Sequence, residues 1–121
     1  MTTLFETHIV GIGPEAEGML SEANMFILFG ADAPADLAEY CFTIDNKNLA
    51  GEIQIGGKLL VDGVAYPITA VGNLVETNLA NLGHITVSLD GSEEGSLPGT
   101  LHIQAEALPQ LKEGSLIQIV A

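Results

Sequence analysis

A chain of 121 residues has room for one domain, and an apolar share of 47% is too high for a disordered segment. Sixteen acidic residues against three lysines and no arginine give a formal net charge of −13, which excludes a surface that attracts nucleic acid. The longest apolar run, Met25 to Phe29, is too short to enter a membrane as a span, and the first residues lack the parts of an export signal, so we expect a single cytoplasmic domain over residues 1–121.

Short apolar segments, bounded by Gly, Pro and Asp, define the elements of the first half. No internal repeat or linker is visible in them. A lone Cys41 is interpreted as a small buried hydrophobe. In chain order the pattern predicts a strand Leu4–Ile12, a short helix Pro14–Glu22, a strand Met25–Phe29, a brief helix Ala33–Tyr40 behind the N-cap Asp32, and a strand Cys41–Ile44.

A hairpin over residues 58–71 is the clearest prediction in the middle of the chain. Asp62 and Gly63 stand between two apolar segments, and this pair favours a type I′ turn because both central residues need positive φ. Pro67 follows within the second strand. Since proline donates no backbone hydrogen bond, we expect that strand at a sheet edge.

A helix is predicted over Asn73–Leu82. Asn73 can cap its first turn, Glu76 stands three residues later in the reciprocal position, and Gly83 ends the run. Strands outnumber helices, so we expect an all-β fold, a compact barrel or sandwich with two or three short helices. The last strands are predicted at His84–Leu89, Thr100–Ala105 and Ser115–Val120.

Two histidines lie on the polar faces of predicted strands. His84 and Thr86 alternate with Ile85 and Val87, and His102 alternates with Leu101 and Ile103, so both rings are expected to be reachable. If the two strands pair antiparallel, His102 lies opposite Thr86 and His84 lies diagonally about 7–8 Å away. Two imidazoles beside a hydroxyl can accept and hold a transferred group.

Other interpretations of these residues stay open. A histidine that follows a helix-ending glycine is commonly a structural hydrogen-bonder, and His8 is interpreted as structural. A two-histidine metal site lacks a carboxylate at ligand spacing. Residues 11–16 imitate the glycine-rich turn of a dinucleotide-binding fold, but Glu15 and Glu17 place negative charge where a pyrophosphate would bind. We therefore expect no metal and no cofactor.

Four segments resemble a known family, in the right order and with matching gaps. They look like the glucitol/sorbitol-specific IIA component of the bacterial sugar phosphotransferase system, over nearly the whole chain. The resemblance implies a small cytoplasmic phosphocarrier that receives a phosphoryl group on histidine from the histidine-containing phosphocarrier protein. It implies onward transfer to the IIB component of the IIB/IIC permease. The segments are Ala33–Phe42, Tyr66–Gly72, Asn78–Thr86 and Pro98–Ile103.

The chain departs from the family at one place. The family's phosphorylated histidine usually follows the segment that ends at Phe42, where this chain has Thr43, Ile44 and Asp45. One interpretation is that His84 accepts the phosphoryl group, with His102 as its supporting neighbour and Thr86 as a hydrogen-bond donor to the phosphate. The other is a regulatory paralogue that binds the same partners through its acidic face without being phosphorylated. We expect the first, because strand parity exposes both rings independently of the resemblance.

Overall fold

The computed structural model of the protein describes residues 2–121, and this part of the chain forms eight strands and three short helices. The helices are α1 (Ala16–Ala23), α2 (Ala35–Ala38) and α3 (Val75–Leu82). The strands are β1 (Thr3–Ile12), β2 (Met25–Phe29), β3 (Phe42–Ile44), β4 (Lys58–Val61), β5 (Val64–Val71), β6 (Ile85–Ser88), β7 (Thr100–Ile103) and β8 (Leu116–Val120). They close into a barrel in the order β1-β3-β2-β6-β7-β5-β4-β8, which confirms the predicted all-β barrel.

Alternating side chains fill the barrel interior. In β6, Ile85 and Val87 are almost fully buried, whereas Thr86 between them keeps part of its surface exposed. Successive residues of a strand point to opposite faces, so this pattern fixes which residues reach the core. Phe26 and Phe42 meet inside the barrel edge to face, with ring centroids 6.3 Å apart.

The β4–β5 hairpin forms as predicted. Asp62 and Gly63 have φ values of 49° and 86°, the positive values that a type I′ turn needs. The edge position predicted for Pro67 is wrong, because β5 pairs with β4 on one side and β7 on the other. The ladder with β7 begins one residue later, at Ile68, so the missing N–H of Pro67 lies at the end of that ladder.

The helices form where the pattern predicts them, but without the predicted caps. No side chain caps α3: Asn73 lies outside it, and Glu76 accepts a hydrogen bond from the amide of Ile53 at 2.6 Å instead. The entry into α3 is held by backbone, because the amide of Leu74 donates to the carbonyl of Pro98 at 2.8 Å. α2 is likewise uncapped by any side chain. Within residues 2–121, no helix has the length and apolar character needed to cross a bilayer.

The β1-α1-β2 segment is not a dinucleotide-binding unit. β3 lies between β1 and β2, and it pairs antiparallel with β1 but parallel with β2. β1 and β2 therefore run in opposite directions, whereas a dinucleotide-binding fold needs parallel strands around its glycine-rich turn. The open alternative of a dinucleotide-dependent enzyme is excluded by this topology.

The barrel contains an internal repeat that is not visible in the sequence. In the first half β1 pairs antiparallel with β3 and β2 pairs parallel with β3; in the second half β5 and β7 pair antiparallel and β6 and β7 pair parallel. α1 joins β1 to β2, and α3 joins β5 to β6. The antiparallel pair of β2 and β6 joins the two halves. The topology is that of two similar halves related by a two-fold axis.

Hydrogen bonds of the two halves correspond residue by residue. The amide of Gly13 donates to the carbonyl of Cys41 at 2.9 Å, and the amide of Gly72 donates to the carbonyl of Thr100 at 2.9 Å, so donor and acceptor each differ by 59 positions between the halves. The irregular registers of β1 with β3 and of β5 with β7 obey the same offset. Little sequence similarity accompanies this correspondence, because the repeat lies in backbone contacts more than in side chains.

The repeat explains a wrong prediction about the two histidine strands. β6 and β7 are parallel, not antiparallel, with Thr86 opposite Thr100 and Ser88 opposite His102. Parallel neighbours need a connection that returns across the barrel. Residues 89–99 provide it, as residues 30–41 do between β2 and β3.

Candidate functional site

His84 lies at the point where α3 gives way to β6. Gly83 ends the helix in the left-handed conformation, φ 69°, and it lies so close to Gly30 that a side chain would meet backbone there. The ring of His84 stacks on Phe29, with centroids 4.5 Å apart and an interplanar angle of 18°. Burial lowers the pKa of His84, so its ring is neutral at neutral pH.

Thr86 lies two residues beyond His84 and therefore on the same face of the sheet. Its side chain is partly exposed, and its amide donates to the carbonyl of Gly99 at 3.2 Å. Alternate residues of a strand are roughly 7 Å apart, so the backbone positions of Thr86 and His84 are neighbours on that face.

His102 is buried, contrary to prediction. Its exposed fraction is 3%, although the alternation placed it correctly on the face opposite Leu101 and Ile103. The connection between β6 and β7 covers that face: Asp90 binds the ring, and the carbonyl of Ser92 accepts a hydrogen bond from Thr69 of β5 at 2.7 Å. Parity predicts the face to which a side chain points, but it does not predict what lies over that face.

The rings of His84 and His102 do not lie next to each other. His102 is in register with Ser88, which is four residues beyond His84. At about 3.3 Å per residue, the two histidine positions are separated by about 13 Å. The prediction of His102 as a neighbour that supports His84 is therefore wrong, and its physical cause is the parallel pairing of β6 and β7.

Asp90 and His102 form a side-chain pair beside the long connection. Nδ1 of His102 lies 2.8 Å from Oδ1 of Asp90, and Nε2 has no hydrogen-bond partner within residues 2–121. Burial raises the pKa of Asp90, but hydrogen bonds from the Ser92 amide and from His102 outweigh it, so its pKa is lowered. The carboxylate of Asp90 thus links the β6–β7 connection to the His102 ring. No cluster of three metal-ligating side chains occurs in the described part of the chain.

A cavity lies beside Phe29, at the end of β2. It has a volume of about 490 Å³, and Leu37, Ile44 and Leu82 form much of its apolar wall. Its polar rim includes Asp32, Asp45, Asn46 and Lys47. Ile44 and Asp45, which stand where the family usually has its phosphorylated histidine, thus line this cavity.

Leu37 and Tyr40 lie on the exposed surface around this cavity. Asp36 and Glu39 of the same segment are exposed too. We call this surface, formed by Asp32, Asp36, Leu37, Glu39, Tyr40 and Leu82, the α2 face.

A third histidine, interpreted as structural, has an ionisable partner. His8 of β1 lies opposite Asp45, whose amide donates to the His8 carbonyl at 3.2 Å. Nδ1 of His8 is 3.6 Å from Oδ2 of Asp45, and the side chains are 51% and 44% exposed. The alternation of His8 with buried Thr7 and Ile9 indicates an outward ring, but the sequence contains no signal for a partner 37 residues away.

Cys41 matches its prediction. It is buried, its Sγ–H donates to the carbonyl of Leu37 at 3.1 Å, and burial raises its pKa. A thiol in this state is a poor nucleophile. It supports the segment that carries the α2 face.

Comparison with known proteins agrees with this geometry. The family model of the PTS system glucitol/sorbitol-specific IIA component matches residues 4–118. The PTS system glucitol/sorbitol-specific EIIA components of Shigella flexneri and of Escherichia coli (strain K12) are each 39% identical over 118 residues, covering 98% of this chain and 95% of theirs. A crystal structure of a PTS system IIA component from Enterococcus faecalis V583 superposes with a TM-score of 0.84 at 22% identity, covering 97% of this chain and 100% of that one, which supports the fold.

Proposed function

Because the chain belongs to the family of glucitol/sorbitol-specific IIA components of the phosphotransferase system, we propose that it is a phosphocarrier for uptake of a sorbitol-type sugar. It accepts a phosphoryl group on a histidine from the histidine-containing phosphocarrier protein and passes it to the IIB component of the permease. The observation that carries this proposal is the family match over residues 4–118. The reaction assigns the protein to the cytoplasm.

The α2 face supports docking of a partner protein. Leu37 and Tyr40 are 49% and 43% exposed, and the same segment carries the exposed carboxylates of Asp32, Asp36 and Glu39. Interfaces commonly have an apolar centre and a polar rim, and complementary charge speeds association. A partner with basic and apolar residues around its own phosphohistidine fits this face.

The partner also supplies what this chain lacks. Transfer of a phosphoryl group needs in-line placement and positive groups around the three equatorial oxygens. Of the three lysines, Lys47 lines the cavity, and its Nζ donates to the carbonyl of Asn81 at 2.8 Å. A basic donor protein would bring the remaining positive charge.

His84, predicted from the sequence as the acceptor with Thr86 as hydrogen-bond donor, is one candidate for the phosphorylated histidine in this proposal, and the exposed His8 is the other. The neutral ring of His84 has the free electron pair that a nucleophile needs. Phe29 covers one face of that ring, and because the electron pair of a ring nitrogen lies in the plane of the ring, a donor approaches the edge of the ring. His102 takes no part in the transfer, because its ring is buried beneath the β6–β7 connection.

Loading with a phosphoryl group tests the proposed function. The protein is incubated with phosphoenolpyruvate, enzyme I and the histidine-containing phosphocarrier protein, and its intact mass is measured at alkaline pH. We expect a mass increase of one phosphoryl group that is lost in acid and absent when enzyme I is omitted. An unchanged mass together with intact binding of the phosphocarrier protein would contradict the proposal and favour the regulatory interpretation.

A further inference from the structure

His8 and Asp45 form an exposed imidazole–carboxylate pair, and Asp45 lines the cavity beside Phe29. His8 points outward from β1, and half of its side chain, 51%, is exposed. Asp45 follows β3 directly and lines the cavity together with Asn46. The His8 ring is therefore accessible to a protein that docks on this part of the surface.

Asp45 is held in a fixed position. Its Oδ1 accepts hydrogen bonds from the hydroxyl of Thr7 at 3.0 Å and from the amide of His8 at 2.9 Å. The next residue, Asn46, donates its amide to Thr7 Oγ1 at 3.1 Å and its side-chain amide to the carbonyl of Glu6 at 2.7 Å. The second carboxylate oxygen, Oδ2, is thereby left facing Nδ1 of the His8 ring at 3.6 Å.

The second half of the barrel shows that the fold does not require this pair. Moving 59 positions along the chain leads from His8 to Pro67 and from Asp45 to Gln104, and the backbone contact is the same: Gln104 donates to Pro67 at 3.0 Å as Asp45 donates to His8 at 3.2 Å. Neither Pro67 nor Gln104 is ionisable. The barrel therefore closes equally well without an imidazole and a carboxylate at this register.

The three histidines differ in how well a large donor can reach them. His102 is buried and His84 is half-buried, whereas His8 is exposed. In transfer between two proteins, the donor phosphorus and the accepting nitrogen must approach in line. The ring of His8 is the most open of the three for that approach.

We infer that His8 carries the phosphoryl group on Nε2, with Asp45 as its positioning residue. This rests on the proposed function. Asp45 favours the tautomer with its proton on Nδ1, which leaves the electron pair on Nε2 pointing away from the carboxylate. That pair forms the new P–N bond while the P–N bond of the donor phosphohistidine breaks and its electron pair returns to the donor ring. The proton stays on Nδ1, and Asp45 stabilises the cationic phosphoimidazole.

The experiment compares single glutamine variants of the three histidines. His8→Gln, His84→Gln and His102→Gln are loaded by phosphoenolpyruvate, enzyme I and the histidine-containing phosphocarrier protein, and separately by the small donor phosphoramidate. We expect phosphorylation of the wild type, His84→Gln and His102→Gln, and at least a hundredfold loss in His8→Gln with the protein donor. Since His8 is exposed, His8→Gln is expected to keep the wild-type circular dichroism spectrum and urea midpoint.

Two outcomes separate the inference from the proposed function. If the wild type is phosphorylated and His8→Gln is phosphorylated at the same rate, the inference is wrong and the carrier function stands. If the protein donor phosphorylates neither, the carrier function itself fails. Fragmentation of the phosphorylated wild type gives an independent reading, and phosphate found on a fragment that lacks His8 overturns the inference.

Asp45→Asn tests the positioning role. The amide oxygen can still accept the hydrogen bonds from Thr7 and His8, so the backbone arrangement is kept, while the charge beside the ring is lost. We expect about tenfold slower loading and a mixture of the two phosphohistidine isomers in phosphorus NMR, whereas the wild type gives the Nε2 isomer alone. An unchanged rate and a single unchanged isomer would show that Asp45 does not position the ring.

Discussion

Asp90 is the partner on which the buried ring of His102 depends. Removing it takes away the hydrogen-bond partner of Nδ1 and part of the cover over that ring. We expect Asp90→Ala to lower the free energy of unfolding by about 1–3 kcal/mol in urea denaturation, and Asp90→Asn, which retains an acceptor oxygen, to cost less. Asp32→Ala, an exposed carboxylate in the equivalent loop, should change it by less than about 0.5 kcal/mol. Equal effects of Asp90→Ala and Asp32→Ala would contradict the pairing.

Asp62 makes the stability of the hairpin depend on pH. The hydrogen bond from the amide of Leu116, at 2.9 Å, lowers its pKa below the ordinary value of 3.8. A lowered pKa in the folded state means that the ionised group stabilises the fold above the ordinary pKa and that this contribution is lost as pH falls through the folded value.

Asp62→Asn isolates this effect, because asparagine keeps the acceptor oxygen and tolerates positive φ. We expect the wild type to be more stable than Asp62→Asn near pH 7 and the difference to shrink toward zero below about pH 3. Urea unfolding of both proteins at several pH values measures it. A difference that does not change with pH would show that the ionised form of Asp62 has no special role.

The sequence predicts the properties of single residues when they depend on neighbouring residues in the chain. Alternation placed His102 on the face opposite Leu101 and Ile103, and Cys41 was correctly interpreted as buried. The sequence does not predict burial or pairing that depends on residues far away along the chain. The cover over His102 comes from the β6–β7 connection, and the partner of His8 is 37 residues away.

At the scale of elements, the two equivalent glycines fix how each half is closed. A Cβ on Gly72 would overlap the carbonyl oxygens of Leu97 and Pro98, and one on Gly13 would overlap those of Ala38 and Glu39. These are backbone atoms, which cannot move aside as a side chain can.

Gly72→Ala is therefore expected to lower the free energy of unfolding by at least about 3 kcal/mol. Gly18→Ala is the matched control, because Gly18 lies within α1, where a Cβ meets only the end of the Glu22 side chain at 3.6 Å. Alanine there should stabilise the protein by about 0.5–1 kcal/mol through helix propensity. Thermal unfolding measures both, and a mild effect of Gly72→Ala would contradict the close backbone contact.

The elements that the sequence predicts correctly are those that depend on neighbouring residues. The β4–β5 hairpin depends on two adjacent residues, Asp62 and Gly63, and it was predicted correctly. The pairing of β6 with β7 depends on a crossing connection that mirrors the first half, and alternation alone cannot tell a parallel neighbour from an antiparallel one. The internal repeat was missed for the same reason.

For the whole molecule, a net charge of −13 does not by itself determine which partner binds. The position of the acidic residues on the surface can determine where a basic partner docks. Charge reversal on the α2 face, Asp36→Lys with Glu39→Lys, should slow loading by the protein donor about tenfold at low salt, and the loss should shrink at high salt. Glu93→Lys with Glu94→Lys makes the same change of charge on the connection of the other half. Equal slowing by the two double variants would show that net charge, and not the α2 face, governs docking.

Onward transfer is the most direct test of the carrier role. The phosphorylated protein is freed from its donor and mixed with the IIB component, and the intact masses of both are followed over time. We expect one phosphoryl group to leave this protein and appear on IIB far faster than it is released to water. A phosphoryl group that stays on this protein until it hydrolyses, with no gain on IIB, would contradict the carrier role.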